Sequence, residues 1–137
     1  MRISRGLYEE MVSHAVEEAP NECCGIVASV DGAAVRVYPA RNAAASPLRY
    51  LMDGEDQFRI GEDIESQGWD YGAIYHSHTR SAPRPSETDI NMAFVPRVGP
   101  LWPGTLYIIV GLAAEEPEVR AFRIESETPE EVELSVE

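Results

Sequence analysis

His76-Ser77-His78-Thr79-Arg80-Ser81-Ala82-Pro83-Arg84-Pro85-Ser86-Glu87-Thr88-Asp89 joins an apolar run to a polar, proline-rich loop and a helix start. The run before it, Tyr71-Gly72-Ala73-Ile74-Tyr75, reads as a buried strand. Ile90-Asn91-Met92-Ala93-Phe94-Val95, after it, reads as a short helix begun at Ser86. Strand residues i and i+2 share a face, roughly 7 Å apart. His76 and His78 therefore project together from the strand's end. Two imidazoles and a nearby carboxylate are a ligand set for a catalytic zinc with an open position. Asp89 is the natural third ligand. Each residue has a plainer reading when taken alone. His76 would be a core histidine, His78 a loop residue, and Ser86-Glu87-Thr88-Asp89 a capping box. Their convergence in one short stretch favours the metal. Pro83 and Pro85 would stiffen the approach to it.

Working outward, 137 residues imply one domain, 1–137, long enough for a core without staples. There are 24 acidic and 11 basic residues, a formal charge of −13, and every basic residue is Arg. Such a chain repels phosphate backbones, so no nucleic-acid partner is expected. The two cysteines, Cys23 and Cys24, are adjacent, which disfavours an unstrained disulfide and fits no CxxC spacing. They read as structural thiols in a reducing cytoplasm. Met1-Arg2-Ile3-Ser4 lacks the apolar core of a signal peptide. The longest apolar run, Leu106 to Ala114, is too short to span a bilayer, so no membrane role is expected.

Ser4 can cap a first helix that ends near Pro20, with Ile3, Leu7, Met11, Val12, Ala15 and Val16 along one stripe. His14 on that helix reads as a solvated or capping residue. Strands are expected at Cys24–Val30 and Ala33–Tyr38 about an Asp31-Gly32 turn, and again at Leu48–Met52. Asp53 can cap a helix over Glu55–Gln67, with Phe58, Ile60 and Ile64 as its apolar side. Arg97–Gly104 reads as a surface loop and Thr105–Leu112 as a central strand. A less regular strand follows at Glu118–Ile124, then an edge strand or frayed tail at Glu131–Val136. This order predicts an α/β fold, a mixed sheet flanked by helices.

The spacing His76-x-His78, then Ser86 and Asp89, resembles the signature of the JAMM (MPN-plus) metalloproteases. That family carries an upstream Glu, often within Glu-x-Cys-Gly, and Glu22-Cys23-Cys24-Gly25 matches it. Pro83 and Pro85 fit the frequent Pro-x-Pro-Ser approach, and the order of elements agrees along essentially the whole chain. The resemblance implies a cytidine-deaminase-like fold and one Zn2+ held by His76, His78 and Asp89, with water as the fourth ligand. It implies Glu22 as general base and Ser86 as the group that steadies the oxyanion. Without it, Glu22 would pass for a solvated residue at a strand start. The deaminases of that fold use a Pro-Cys-x-x-Cys ligand pair, absent here, which disfavours base deamination.

Members of the family cleave after the C-terminal Gly-Gly of ubiquitin-like proteins. The resemblance is strongest to a bacterial branch, some of whose enzymes release cysteine from a sulfur-carrier protein. An extended diglycine would need a narrow groove and an edge strand to pair with. Asn42–Met52 and Arg97–Gly104 are candidates for carrier docking, equally readable as ordinary loops. Arg80 and Arg84 could meet a substrate carboxylate, although solvated arginines are the simpler reading. Three alternatives stay open: a general deubiquitinase-like or desampylase-like isopeptidase, a RadC-like protein, and a metal-free MPN scaffold that only binds partners.

Overall fold

The computed structural model describes residues 1–137. The chain begins with a two-residue strand β1 (Arg2–Ile3), so Ile3 belongs to a strand and not to the first helix. Helix α1 (Arg5–Glu18) starts where Ser4 Oγ accepts the Leu7 N–H at 3.2 Å. Met11 and Ala15 face inward, whereas Val16, read as part of the same stripe, is exposed. The hairpin β2 (Cys24–Val30) and β3 (Ala33–Ala40) turns through Asp31 and Gly32, both at positive φ, the geometry that matches strand twist.

Helix α2 (Gly54–Gln67) is capped by Asp53, carries Glu55 and Asp56 in its first turn, and ends at left-handed Gly68. Ile60 and Ile64 are buried, but Phe58 is 69 % exposed. Two residues from Ile60 is about 200° around a helix, so Phe58 lies on the outer face. Strand β4 (Asp70–His78) runs three residues past Tyr75 and carries both histidines. Helix α3 (Glu87–Ala93) stops earlier than expected. Phe94 and Val95 form a short strand β5 that pairs with β6 (Gly99–Pro100), so Arg97–Gly104 is partly a tight hairpin. Strands β7 (Leu106–Gly111), β8 (Glu118–Arg123), β9 (Glu130–Val132) and β10 (Ser135–Val136) complete the chain.

One sheet holds eight of the strands in the order β10-β1-β3-β2-β4-β7-β8-β9. β4 and β7 pair in parallel at its centre, and β2–β3, β2–β4 and β7–β8 are antiparallel. The expected edge strand at Glu131–Val136 is in fact two. β9 lies on β8 and β10 on β1, at opposite ends of the order, with only Glu133 and Leu134 between them. Two residues span less than about 10 Å, so the sheet must curl until its edges nearly meet. Inside the curl, Met11 and Ala15 pack on Ile3, Val27, Tyr75, Ile108 and Val110. On the other face, Ile60, Ile64 and Ala93 pack on Ile26, Ile74, Tyr107 and Ile109. Alternate residues of β4 and β7 thus enter two cores, which explains their continuous apolar run.

Leu48–Met52 does not form a strand; a single bridge, Asn42 to Met52, is all the pairing there. Pro47 lacks a donor, and the Asn42 side chain takes the role of a neighbouring strand. Its Nδ2 donates to the carbonyls of Glu22 and Arg49, and its Oδ1 accepts from the N–H groups of Ala44 and Leu51, all within 2.9–3.1 Å. Asn42→Ala removes four hydrogen bonds at once and should cost about 2 kcal/mol, allowing for partial replacement by water. Urea titration of both proteins measures this; an unchanged midpoint would show that the loop holds itself.

Candidate metal centre

Strand register assembles this site. Cys24 of β2 lies opposite His76 of β4, and His76 lies beside Ile109 of β7. One pleat further, His78 lies beside Gly111, and the same register carries Glu22 across from His78. One pleat back, Ile26, Ile74 and Tyr107 form a third row. Alternation puts all three rows on one face of the sheet, beneath α2 and α3.

His76 and His78 turn their Nε2 atoms toward each other at 3.1 Å. Asp89 Oδ2 completes a triangle, 3.2 Å from His76 Nε2 and 3.0 Å from His78 Nε2. All three residues are buried. His78 Nδ1 lies 2.9 Å from the carbonyl of Ala82 and donates to it, which leaves the Nε2 lone pair for the site. The His76 ring stacks on Tyr50, centroids 4.6 Å apart, and its Nδ1 has no protein partner. Asp89 is fixed by the helix start: its Oδ2 accepts the Ser86 N–H at 2.9 Å, while Ser86 Oγ accepts the Asp89 N–H at 3.1 Å. Burial works to raise the Asp89 pKa, but the bonds to His76 and His78 outweigh it and hold the carboxyl well below the usual range.

Zinc bonds nitrogen and oxygen at about 2.0–2.2 Å, which places tetrahedral donors about 3.3–3.6 Å apart. The three donor atoms therefore already stand close to one face of such a tetrahedron. Two neutral imidazoles and one carboxylate fit a divalent ion of that type.

Glu22 is buried, and its Oε1 has no protein partner. Burial lifts its pKa to about 7; the charge on His78 opposes the rise and that on Asp89 adds to it. The chain around Glu22 is clamped to β4 through Ser77, whose Oγ accepts the Cys23 N–H at 2.8 Å and whose own N–H donates to the Cys23 carbonyl at 3.2 Å. Ser86 is exposed beside the triangle, and with Oγ accepting from Asp89 its hydroxyl proton is free to donate.

Other singled-out residues lie elsewhere. Cys23 and Cys24 are buried free thiols, and burial pushes both up to about 12, which fits inert packing groups. Arg80 and Arg84 are exposed on the loop. His14 is neither solvated nor a cap. Its Nδ1 lies 2.8 Å from the hydroxyl of fully buried Tyr75, inside the curl of the sheet. The spacing of ligand-type residues does not reveal Tyr50, Ser77, Ala82 or Gly111, which hold the site. A Cβ at Gly111 would come within 2.9 Å of Pro83 Cδ, so the missing side chain lets the loop lie against β7. A serine between two histidines in an apolar strand was the one available signal.

Comparison with known proteins gives the family. The chain is 32 % identical over 127 residues to the CysO-cysteine peptidase of Mycobacterium tuberculosis, covering 89 % of this chain and 81 % of that one. It is 39 % identical over 108 residues to the desampylase of Haloferax volcanii, covering 74 % and 73 %. The solution structure of a protein from Desulfitobacterium hafniense superposes with a TM-score of 0.82 at 31 % identity, over 99 % of this chain and 92 % of that one. A family model described as prokaryotic homologs of the JAB domain matches residues 4–125, from the cap of α1 to just beyond β8. The chain therefore belongs to the prokaryotic JAB/MPN family.

Proposed function

We propose that residues 1–137 act as one JAMM-type domain, a zinc-dependent peptidase. It hydrolyses the bond after the C-terminal Gly-Gly of a ubiquitin-like or sulfur-carrier protein, releasing cysteine from a carrier–cysteine adduct. The observation that carries this reading is the donor triangle with 3.0–3.2 Å edges, with Glu22 brought to the same end of the sheet by register. The relatives named CysO-cysteine peptidase and desampylase support the substrate class.

His76, His78 and Asp89 would hold the zinc. Bound there, it would supply Lewis acidity and lower the pKa of water toward neutrality. Glu22, buried with Oε1 unpartnered at the same end of the sheet, takes the proton from the attacking water and returns it to the leaving nitrogen as the C–N bond breaks. The Ser86 hydroxyl donates to the oxyanion that forms on the carbonyl oxygen. The charge of −13 favours a protein over a nucleic acid as partner, and the buried free thiols favour a reducing cytoplasm. No helix is long and apolar enough to cross a membrane.

The second reading is an isopeptidase with the same chemistry, favoured by the identity to the desampylase. Intact mass separates the two. With a sulfur carrier bearing cysteine on its terminal glycine, the expected result is chelator-sensitive loss of one cysteine residue. No loss from zinc-loaded protein would reject cysteine release and favour lysine-linked conjugates as substrates.

A further inference from the structure

Most of the eleven arginines are engaged within the chain. Arg36, Arg41, Arg59, Arg120 and Arg123 pair with carboxylates, Arg2 donates to the Asp31 carbonyl, and Arg5 lies over the Tyr8 ring. Arg80 and Arg84 are exposed and make no such contact. Both stand in the loop that joins the second donor residue to the third, and that loop is pinned. His78 Nδ1 and the Arg84 N–H both donate to the Ala82 carbonyl, at 2.9 and 2.8 Å, and Thr79 Oγ1 donates to the Pro20 carbonyl at 3.1 Å. Pro83 is buried against Gly111, and the capping box fixes Ser86. A fixed backbone thus carries two unpaired guanidinium groups, one two residues after His78 and one two residues before Ser86. The stretches 71–86 and 90–114, which supply β4, this loop and β7, contain none of the 24 acidic residues. Screening confines a charge to about 8 Å at physiological salt, so these local positive groups matter more here than the overall −13.

We infer that Arg80 and Arg84 clamp the free α-carboxylate of the residue released on the amine side of the scissile bond, so that the enzyme selects for a single terminal residue. This rests on the functional reading above and deepens it. A terminal residue carries its carboxylate within about 4 Å of its own amide nitrogen. Wherever that nitrogen leaves, the carboxylate is beside the donors too, next to the loop. A guanidinium meets a carboxylate through two parallel, charge-assisted hydrogen bonds. A lysine-linked conjugate offers no such group. Its leaving nitrogen ends a side chain, four methylenes from the α-carbon, and its α-carboxyl is already in a peptide bond. The clamp therefore separates release of one amino acid from isopeptide cleavage.

The test uses the zinc-loaded full chain and three carrier adducts: cysteine, cysteine with its carboxyl amidated, and a peptide joined through a lysine ε-amine. For the native protein, kcat/KM should fall about tenfold or more from the acid to the amide, the worth of hydrogen bonds to a charged group. The change should lie in KM, because the carboxylate is held alike before and during the reaction. Arg80→Gln and Arg84→Gln should each lower the acid/amide ratio, and the double variant should bring it close to one, with zinc content and Tm at native values. Lysine at both positions should restore part of the ratio, since the charge remains and the forked geometry is lost. Arg123→Gln, at the end of β8 remote from the metal centre, should keep the native ratio. A native ratio near one, or a ratio that survives in the double variant, would overturn the clamp while leaving the peptidase standing. So would variants that slow acid and amide equally, the result expected if the arginines meet an acidic surface of the carrier instead. Cleavage of the lysine-linked peptide as fast as the acid would likewise reject the selection. Cleavage of no adduct would overturn the functional reading, and the clamp with it.

Discussion

Asp89→Asn should strip the metal from the protein while leaving helix α3 in place. Zinc content after purification is expected below a tenth of the native level, with turnover down at least about 100-fold. The reason lies in the two jobs of one carboxylate. Asp89 Oδ2 accepts the Ser86 N–H, and it also meets both imidazole Nε2 atoms. Ser86 remains the helix cap, and the carbonyl oxygen of asparagine at this third helical position can still accept the Ser86 N–H. What disappears is the only negative charge in the donor set. The incoming amide also turns hydrogens toward nitrogens that must offer lone pairs. Asp89→Ala serves as the contrast, since it also loses the bond from the Ser86 N–H and should cost about 1 kcal/mol more in metal-free stability. Metal analysis paired with urea titration separates the roles. Full zinc occupancy in Asp89→Asn would remove Asp89 from the ligand set.

The residues that were legible in the sequence are those whose relations are local. His76 and His78 share a face because a strand has period two, and Asp89 is tied to Ser86 because a capping box closes within four residues. Neither needs knowledge of the fold. Glu22 is different. It lies 54 residues before His76, and only antiparallel register brings it to the same end of the sheet. Local chemistry marks it as an ordinary strand-start acid; the family resemblance alone singled it out. The contacts that hold the site are likewise non-local: Ser77 with Cys23, Tyr50 against His76, Gly111 beneath Pro83. The same limit explains the misread elements. Leu48–Met52 carries apolar residues of strand type, but Asn42 supplies its backbone partners. Glu131–Val136 alternates as a strand should, yet the curl of the sheet divides it between two edges. Periodicity reports which side of a segment is apolar, not which neighbour it will find.

Glu22→Gln should keep its zinc and lose turnover by about 10²–10⁴-fold, the usual worth of a positioned general base. Glutamine preserves the shape but can neither take the proton from water nor return it to the leaving nitrogen. The same substitution should make the metal-free protein more stable, with a defined pH dependence. Burial raises the Glu22 pKa from its ordinary 4.5 to about 7. The folded state therefore binds this proton more tightly than the unfolded state. Below pH 4.5 both states hold it, and Glu22 costs nothing. Between pH 4.5 and 7 the unfolded state ionises first, so the native chain loses stability relative to the variant. Above pH 7 the deficit is complete and constant. Thermal melts of chelated protein at pH 4 should therefore nearly coincide, and those at pH 8 should separate with the variant higher. Loss of zinc together with turnover would make Glu22 a ligand or a structural support, and full activity would end its role in proton transfer. Retained zinc, lost turnover and a gain in stability above pH 7 would together describe a carboxylate kept in an unfavourable place for the chemistry it performs there.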